Sequence, residues 1–478
     1  MSRATSKTMR KSALALLPLV LPVVLGACSM APDYAQPEAP VPPSWPVGEA
    51  YPVEGEADLP ALSYTEIFRD QRLQTLIGQA LANNRDLRIA AANLASARAQ
   101  VRVTRAAQFP EVSVRGSADI SDNGGTSGES YALQGGISGF ELDLFGKLAN
   151  ATAAQREREL ASEASARSVR LGLVADLASA WATYAADRDL LAIAEQSAAN
   201  ARRSVDLTRA RLEGGIAPRT DLRQAEQILA TAEGDLAAQK AALAEDVNLL
   251  RLLVGADVDP ALLPAGLGEV LASIESLPAG TSSAVLLRRP DVAQAEYLLR
   301  AANADIGVAR ARLFPQITLT GLLGFASDAL GSLFTSGAFS ASAGADASYA
   351  IFAGGGRQAG VAVSEADRDA ALASYEKAIQ SAFREVADAL ATKGTIADRM
   401  SAARMNTEAA SDTASLTEAR YRGGVDSFLA NLVAQRSLYT AQRQEVAISL
   451  IAVQNRVELY RVLGGDAELG QGAFTLPQ

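Results

Sequence analysis

Leu87, Ala90, Leu94, Ala97 and Val101 recur at spacings of three and four. Val292, Ala295, Leu299, Ala302 and Ile306 repeat the pattern 205 residues later. Each set is a heptad-like seam, the stripe of a helix that packs along another helix. The two copies align without a gap from Asp86 to Pro110 and from Asp291 to Pro315. A further pair lies at an offset of 209, with Arg211–Gly215 matching Arg420–Gly424 and Leu250–Gly255 matching Leu459–Gly464. The chain is thus expected to be an internal structural repeat. Each half runs helix, two strands, long helix, Gly-Gly turn and returning helix.

The long helices are expected from about Lys147 to Leu212 and from Arg357 to Tyr421, stretches without proline. Such a helix of some 66 residues extends roughly 99 Å, about three bilayer cores. Leu173, Leu177, Ala180, Tyr184 and Leu191 keep the heptad phase. Neither stretch is apolar all round, so neither is expected to cross a membrane as a helix.

A different periodicity follows Phe109-Pro110 and Phe314-Pro315. Val112, Val114, Gly116, Ala118 and Ile120 alternate with Ser113, Arg115, Ser117 and Asp119. Phe339, Ala341, Ala343, Ala345, Ala347, Tyr349 and Ile351 alternate with Ser340, Ser342, Gly344, Asp346 and Ser348. Strands are expected over 111–121, 131–145, 316–326 and 338–352. In the second of them the apolar phase flips near Gly139, where a β-bulge would restore it. Segments of about ten residues, apolar on one side and polar on the other, suit transmembrane β-strands. Taken alone they equally suit a half-buried sheet of a soluble domain, or glycine- and serine-rich loops.

The N-terminus tilts that choice. Arg3, Lys7, Arg10 and Lys11 precede an apolar run from Ala13 to Leu25, too short to span a bilayer. Residues 1–27 therefore have the form of an export signal. Leu25-Gly26-Ala27-Cys28 resembles a bacterial lipobox, in which Cys28 is lipidated and becomes the mature N-terminus. Ser29 follows it, in place of the aspartate that retains lipoproteins at the inner membrane. An incidental cysteine behind an ordinary signal is the alternative. Residues 28–62, with seven prolines between Pro37 and Pro60, form either an extended strap or a disordered tether. Beyond it the repeats are expected over 63–255 and 284–464, with an equatorial linker over 256–283 and a tail over 465–478.

Composition narrows the chemistry. There is no histidine and only one cysteine, which removes the commonest metal sites, nucleophile pairs and disulfides; no metal or cofactor beyond the lipid on Cys28 is expected. The leader holds four of the basic residues and no acid, so its removal takes the net charge from −10 to −14. That balance offers no footprint for nucleic acid. Four strands cannot close a barrel, and an open sheet edge in lipid leaves backbone groups unpaired. The chain must then oligomerise. Two copies would give an eight-stranded barrel filled by its own side chains, whereas three give twelve strands and room for a pore.

Several runs resemble the TolC-like outer-membrane factor family, most closely its OprM/NodT-type lipoprotein branch. They are Phe140–Gly146, Leu287–Val292, Ala301–Ala311, Phe314–Ile317, Asn83–Arg88 and Arg420–Gly424, and the resemblance covers essentially the whole mature chain. It implies a mainly α fold with transmembrane β. A homotrimeric twelve-stranded β-barrel, four strands per chain, would continue into a long periplasmic α-helical barrel. It also implies a lipid-anchored protein of the bacterial outer membrane that conducts small molecules such as drugs or toxic compounds. Its partners would be a periplasmic membrane-fusion adaptor and an inner-membrane pump, often of the resistance-nodulation-division class.

In that frame Gly214, Gly215, Gly423 and Gly424 mark the periplasmic tips and adaptor contact. Asp221 matches an acidic position near the family's constriction, and Asp426 lies just beyond the other tip. Three-fold symmetry would make each a carboxylate ring, with Arg211, Arg219 and Tyr421 as latches; solvated charges at helix ends are the alternative. Val433 stands where many relatives carry aspartate, so the lock is expected to be thinner or differently placed. The exit duct of a protein secretion system and a non-conducting trimeric envelope scaffold remain as other readings. No catalytic constellation is found, and an enzyme is not expected.

Overall fold

The computed structural model describes residues 29–51, 63–122, 124, 127–277 and 283–464. Expectations for the leader, Cys28 and the tail 465–478 lie outside those residues. In chain order the elements are α1 (Tyr64–Ile67), α2 (Gln71–Asn83), α3 (Arg85–Ala106), β1 (Val112–Asp122), β2 (Ser127–Glu141), α4 (Lys147–Glu213) and α5 (Arg219–Val254). They continue with α6 (Leu267–Ser273), α7 (Pro290–Ala311), β3 (Gln316–Ser327), β4 (Phe339–Ser348), α8 (Gly356–Arg422) and α9 (Phe428–Val462). The two halves match closely: α3 and α7 have 22 residues each, and α4 and α8 have 67 each. None of the described helices is long and apolar enough to cross a membrane.

The chain divides into two compact units. One holds residues up to Glu38, Leu94–Ser162 and Gln294–Tyr375, and contains the sheet. Its four strands are antiparallel in the order β1-β2-β3-β4. A bulge at Ser138-Gly139 separates the pairs Ile137–Gly321 and Phe140–Leu319. Two strands end earlier than their alternation suggests. β2 covers 127–141 and not 131–145, and β4 stops at Ser348 and not at 352. The partner strand sets both limits. β3 begins at Gln316, directly after Phe314-Pro315, and Gln316 already pairs with Ser348. Proline has no N–H to extend the ladder, so Tyr349, Ile351 and Phe352 have nothing to pair with. Leu142 makes one more bond, its N–H donating to Ile317 O at 2.8 Å. Asp143 then turns the chain and accepts from Ala149 N at the start of α4 (2.7 Å).

In this unit the strap lies along α7. Asn303 Nδ2 donates to Pro32 O at 2.7 Å, and the Arg300 guanidinium stacks on the Tyr34 ring. Gly307 makes room for it, since a Cβ there would sit 2.7 Å from Ala31 N. A glycine inside a helix costs about 1 kcal/mol relative to alanine, which the close approach explains.

The other unit holds Ala39–Asn93, Glu163–Ala293 and the chain from Glu376 onward. Its core is built around Trp181, Phe68, Tyr460, Leu73, Leu177 and Leu250, all fully buried. Leu173, Leu177, Ala180 and Tyr184 of the α4 seam are buried, and Leu191 is half-buried. The linker is fastened by a bridge between Phe68 and Ile274, and by Arg456, which donates to Leu271 O and Ile274 O at 2.7 and 2.6 Å. Here the strap passes over α8. Trp45 stacks on Phe383, and the Ala50 carbonyl rests where a side chain on Gly394 would begin.

The repeat also closes each half on itself. In the first, Asn84 Nδ2 donates to Leu253 O at 2.8 Å, while its Oδ1 caps Leu87 N at 3.0 Å. In the second, Arg289 takes the place of Asn84 and donates from Nη1 to Val462 O, the counterpart of Leu253, at 3.0 Å. Arg289 Nη2 also reaches Asp291 at 2.8 Å and Glu385 at 2.7 Å. A neutral clasp in one copy is thus an ionic one in the other.

Candidate functional site: a two-faced sheet and twin hairpin tips

Directly opposed residues of an antiparallel sheet point to the same side, and successive residues alternate. The register therefore assigns every strand residue to a face. One face carries Val112, Val114, Ala118 and Ile120 of β1, then Tyr131, Leu133 and Ile137 of β2. It continues with Ile317, Leu319, Leu323 and Phe325 of β3, and with Phe339, Ala341, Ala343, Ala345 and Ala347 of β4. The bulge returns Phe140 to this face after the phase flip. The charged positions in its register, Asp122 and Glu129, both lie beside the β1–β2 turn. The other face carries Ser113, Arg115, Ser117 and Asp119, Ser130 and Gln134, Thr318 and Thr320, and Ser340, Ser342, Asp346 and Ser348, with Leu322 its one large apolar side chain.

Val112, Val114, Ile120, Leu323 and Phe339 are exposed, so the apolar face has no cover in the single chain. Ten residues of β4, tilted as in a barrel, rise about 25 Å, the height of an apolar membrane band. Aromatic side chains gather at both ends of the strands. Phe325 meets Phe334 and Phe339 edge-on at one end, and Phe145 stacks on Phe314 at 4.3 Å near the other.

In the other unit, the two Gly-Gly turns are the same structure made twice. Ile216 N donates to Arg211 O (2.8 Å) and Gly215 N to Leu212 O (3.0 Å); Val425 N donates to Arg420 O (2.9 Å) and Gly424 N to Tyr421 O (3.0 Å). Both are Schellman ends, with Gly215 at φ +74° and Gly424 at φ +76°, a left-handed conformation that disfavours any side chain. Gly214 and Gly423 complete the pairs, and all four glycines are exposed.

Of the latch candidates, Arg211 and Tyr421 come together. The guanidinium lies 4.4 Å from the Tyr421 ring centre and donates to the Tyr421 carbonyl at 3.0 Å. Tyr421 is buried with Val205, Ala225 and Phe428, so Arg211 ties the first tip to the second. Asp426 is held within its own hairpin by Arg420, through bonds of 2.8 and 3.0 Å. The Arg420 hydrogen bond keeps the Asp426 carboxyl below the usual range. Arg420 was not among the expected latches, although it sits six residues before the acid, across a Gly-Gly turn. Arg219 is exposed and Asp221 half-buried in the first turn of α5, and neither is brought to Arg211, Tyr421 or Asp426 by a hydrogen bond or ion pair among the described residues.

A second acidic feature was not expected at all. Asp246 of α5 lies against Asp187 of α4, and Asp246 Oδ2 is enclosed without a hydrogen-bond partner among the described residues. Burial, then the charge and hydrogen bond of Asp187 and the charge of Glu245, push the Asp246 carboxyl up to about 7. A carboxyl raised in the folded state binds its proton more tightly there than in the unfolded chain. The contribution of this group to stability is then fully present at low pH and is lost as pH rises from about 4 to about 7. Solvent screening at this half-exposed site brings the loss to about 1 kcal/mol. Thermal melts should show the wild type weakening across that window by more than Asp246→Asn does. Parallel pH profiles would refute the raised Asp246 carboxyl.

A sheet dry on one side and polar on the other, on a chain otherwise made of long paired helices, defines an outer-membrane channel protein. A family model described as outer membrane efflux protein matches residues 76–256 and 281–465. The chain belongs to the outer membrane efflux protein family, and it is the outer-membrane channel component of a bacterial efflux system, not an enzyme. It is 40% identical over 467 residues to two Pseudomonas putida proteins, the antibiotic efflux pump outer membrane protein ArpC and the toluene efflux pump outer membrane protein TtgC, with 96% of each chain covered. It superposes with a TM-score of 0.82 and 31% identity on the crystal structure of the open state of the Neisseria gonorrhoeae MtrE outer membrane channel, over 92% of this chain and 98% of that one.

Proposed function

We propose that three copies join β1 to β4 around an axis to form a twelve-stranded barrel, with the long helices continuing it as a tunnel through the periplasm. The observation that carries this is the register. It gathers apolar side chains on one face of all four strands and leaves the outer edges of β1 and β4 without a partner strand. Closing the edges between copies satisfies the backbone in lipid, and the polar face becomes a wet lumen. The duct is passive and carries small molecules handed over by a periplasmic adaptor and an inner-membrane pump of the resistance-nodulation-division type. The names of the relatives support antibiotics and organic solvents such as toluene as cargo.

Cys28 would carry the lipid, and the docked strap would hold it beside the sheet-bearing unit, where Ser29 Oγ donates to Asn150 Oδ1 at 2.8 Å. The tip glycines Gly214, Gly215, Gly423 and Gly424 shape the turns offered to the adaptor. Arg211–Tyr421 and Arg420–Asp426 hold the resting tip, while Asp221 and Arg219, without a side-chain partner among the described residues, would serve contacts between chains or with the adaptor. The test is the detergent mass of the lipidated protein together with its conductance in planar bilayers. A mass of three chains with discrete ionic steps is expected. A single-chain mass would sink the barrel, and a trimer silent even with Arg211→Ala and Arg420→Ala would sink the duct.

A further inference from the structure

The connection from β4 to α8 breaks the repeat. In the first half, the β2–α4 connection is closed on itself. Phe145 stacks on Phe314, and the Lys147 ammonium donates to both carboxylate oxygens of Glu141 at 2.8 and 2.7 Å. In the second half, Ile351-Phe352 stands in the place of Leu144-Phe145, and the two side chains are 95% and 89% exposed. The cation that follows, Arg357, has no carboxylate partner among the described residues. Its guanidinium lies 4.7 Å from the Tyr349 ring centre, with Nη1 enclosed and without a hydrogen-bond partner. The side chain is only half-buried, so the rest of the guanidinium remains open to a ligand.

Gln316–Ser348 is the last pair of the β3–β4 ladder, and the connection leaves the sheet at the edge where β1 and β3 begin. Tyr349 and Ile351 continue the odd-numbered apolar series of β4 past that pair. The Tyr349 ring draws Arg357 to the same side. This edge is basic, although the chain as a whole is acidic. Arg105 and Arg312, at the ends of the helices that lead to β1 and β3, are exposed, and no acid lies between Asp346 and Glu365. Of the acids beside the strand ends, Glu141 is held by Lys147 and Asp143 caps α4, which leaves Glu111 alone uncommitted among the described residues.

We propose that this connection binds an anionic phospholipid of the periplasmic leaflet, with the phosphate on Arg357 and the acyl chains against Ile351 and Phe352. The proposal rests on the reading above that the apolar face of the sheet meets lipid. A guanidinium forms charge-assisted bonds to phosphate oxygens, and the Tyr349 face holds it at headgroup depth. Basic pockets at a membrane interface select acidic headgroups. Ile351 and Phe352 add apolar area for any acyl chain, so the choice of headgroup falls to Arg357. The first half, with its ammonium already neutralised, makes no such site.

Native mass spectrometry of the full-length protein in mild detergent tests this, with dioleoyl phosphatidylglycerol or dioleoyl phosphatidylethanolamine added. The wild type should retain phosphatidylglycerol in preference. Arg357→Gln should weaken that lipid roughly tenfold and remove the preference. Phe352→Ser should weaken both lipids alike, and Lys147→Gln should change neither. Equal retention of the two lipids by the wild type, or an undiminished preference in Arg357→Gln, would overturn the site. Displacement of the lipid by millimolar inorganic phosphate would also overturn it, by reducing it to a simple anion pocket. So would a disulfide between chains in the Phe109→Cys, Phe352→Cys double variant, which would show that a second copy covers the connection. Each of those results leaves the lipid-facing sheet intact. Protein that enters vesicles of neither lipid would remove the sheet reading and the site together.

Discussion

Arg289→Met should lower the melting temperature of the protein by roughly 5 °C, a loss of about 2–3 kcal/mol. The guanidinium side chain is only 9% exposed and serves three acceptors at once. Removing it leaves the Val462 carbonyl, at the end of α9, without a donor, and strips Asp291 and Glu385 of their cation. Both carboxylates keep some access to water, which holds the loss below the 3–5 kcal/mol of a fully buried pair. Burial alone would raise the Asp291 carboxyl, but its hydrogen bond and charge contact with Arg289 outweigh that and hold it below the usual range. Its contribution is therefore present above the ordinary carboxylate pKa and fades as pH falls through the lowered one. Acid should narrow the gap between wild type and variant. Arg289→Lys should recover only part of the loss, because a single ammonium cannot span three acceptors set in a fork. The neutral counterpart Asn84→Ala should cost less, about 1–2 kcal/mol. Equal melting of Arg289→Met and wild type would show that the clasp does not bear on stability.

The helices were legible because their limits are local. Uninterrupted stretches without proline and a recurring Gly-Gly turn bound α4 and α8 to within a residue or two of expectation. The bulge at Gly139 was legible for a similar reason, since a flip in apolar phase can return to one face only through an extra residue. The strand ends were not, because they depend on the neighbour. Leu144 and Ile351 continue their alternation faithfully, but Pro315 stops the strand that would have paired with them. The site was legible at the turns and obscure in its pairings. Arg211 and Tyr421 are separated by 210 residues, and nothing in either hairpin alone says that one guanidinium will cap the other's ring. Asp187 and Asp246 meet only because α4 and α5 run back along each other, so their spacing in sequence carries no signal. The repeat itself hid the clasp: Asn84 and Arg289 occupy the same position with different chemistry, and only the shared carbonyl partner shows that they do the same work.

Ala343→Arg should abolish insertion, while Ser342→Arg, one residue away, should be tolerated. The two positions lie at the middle of β4, and the pairs Ala343–Gly321 and Ser342–Leu322 put them on opposite faces of the sheet. On the apolar face an arginine would meet lipid near the bilayer midplane, at about 2–4 kcal/mol per chain. In the proposed barrel three copies would multiply that penalty, which places it on the order of the whole stability of a domain. On the polar face the same side chain would enter a wet lumen already lined by Ser340, Asp346 and Arg115, where it should alter ion preference more than assembly. The measurement is the fraction of the protein that resists extraction from outer membranes and runs at the mass of the proposed trimer. If both variants insert equally well, the apolar face does not meet lipid, and the sheet must be covered by protein. If Ser342→Arg fails and Ala343→Arg inserts, the faces are inverted, and the barrel would have its dry side inward.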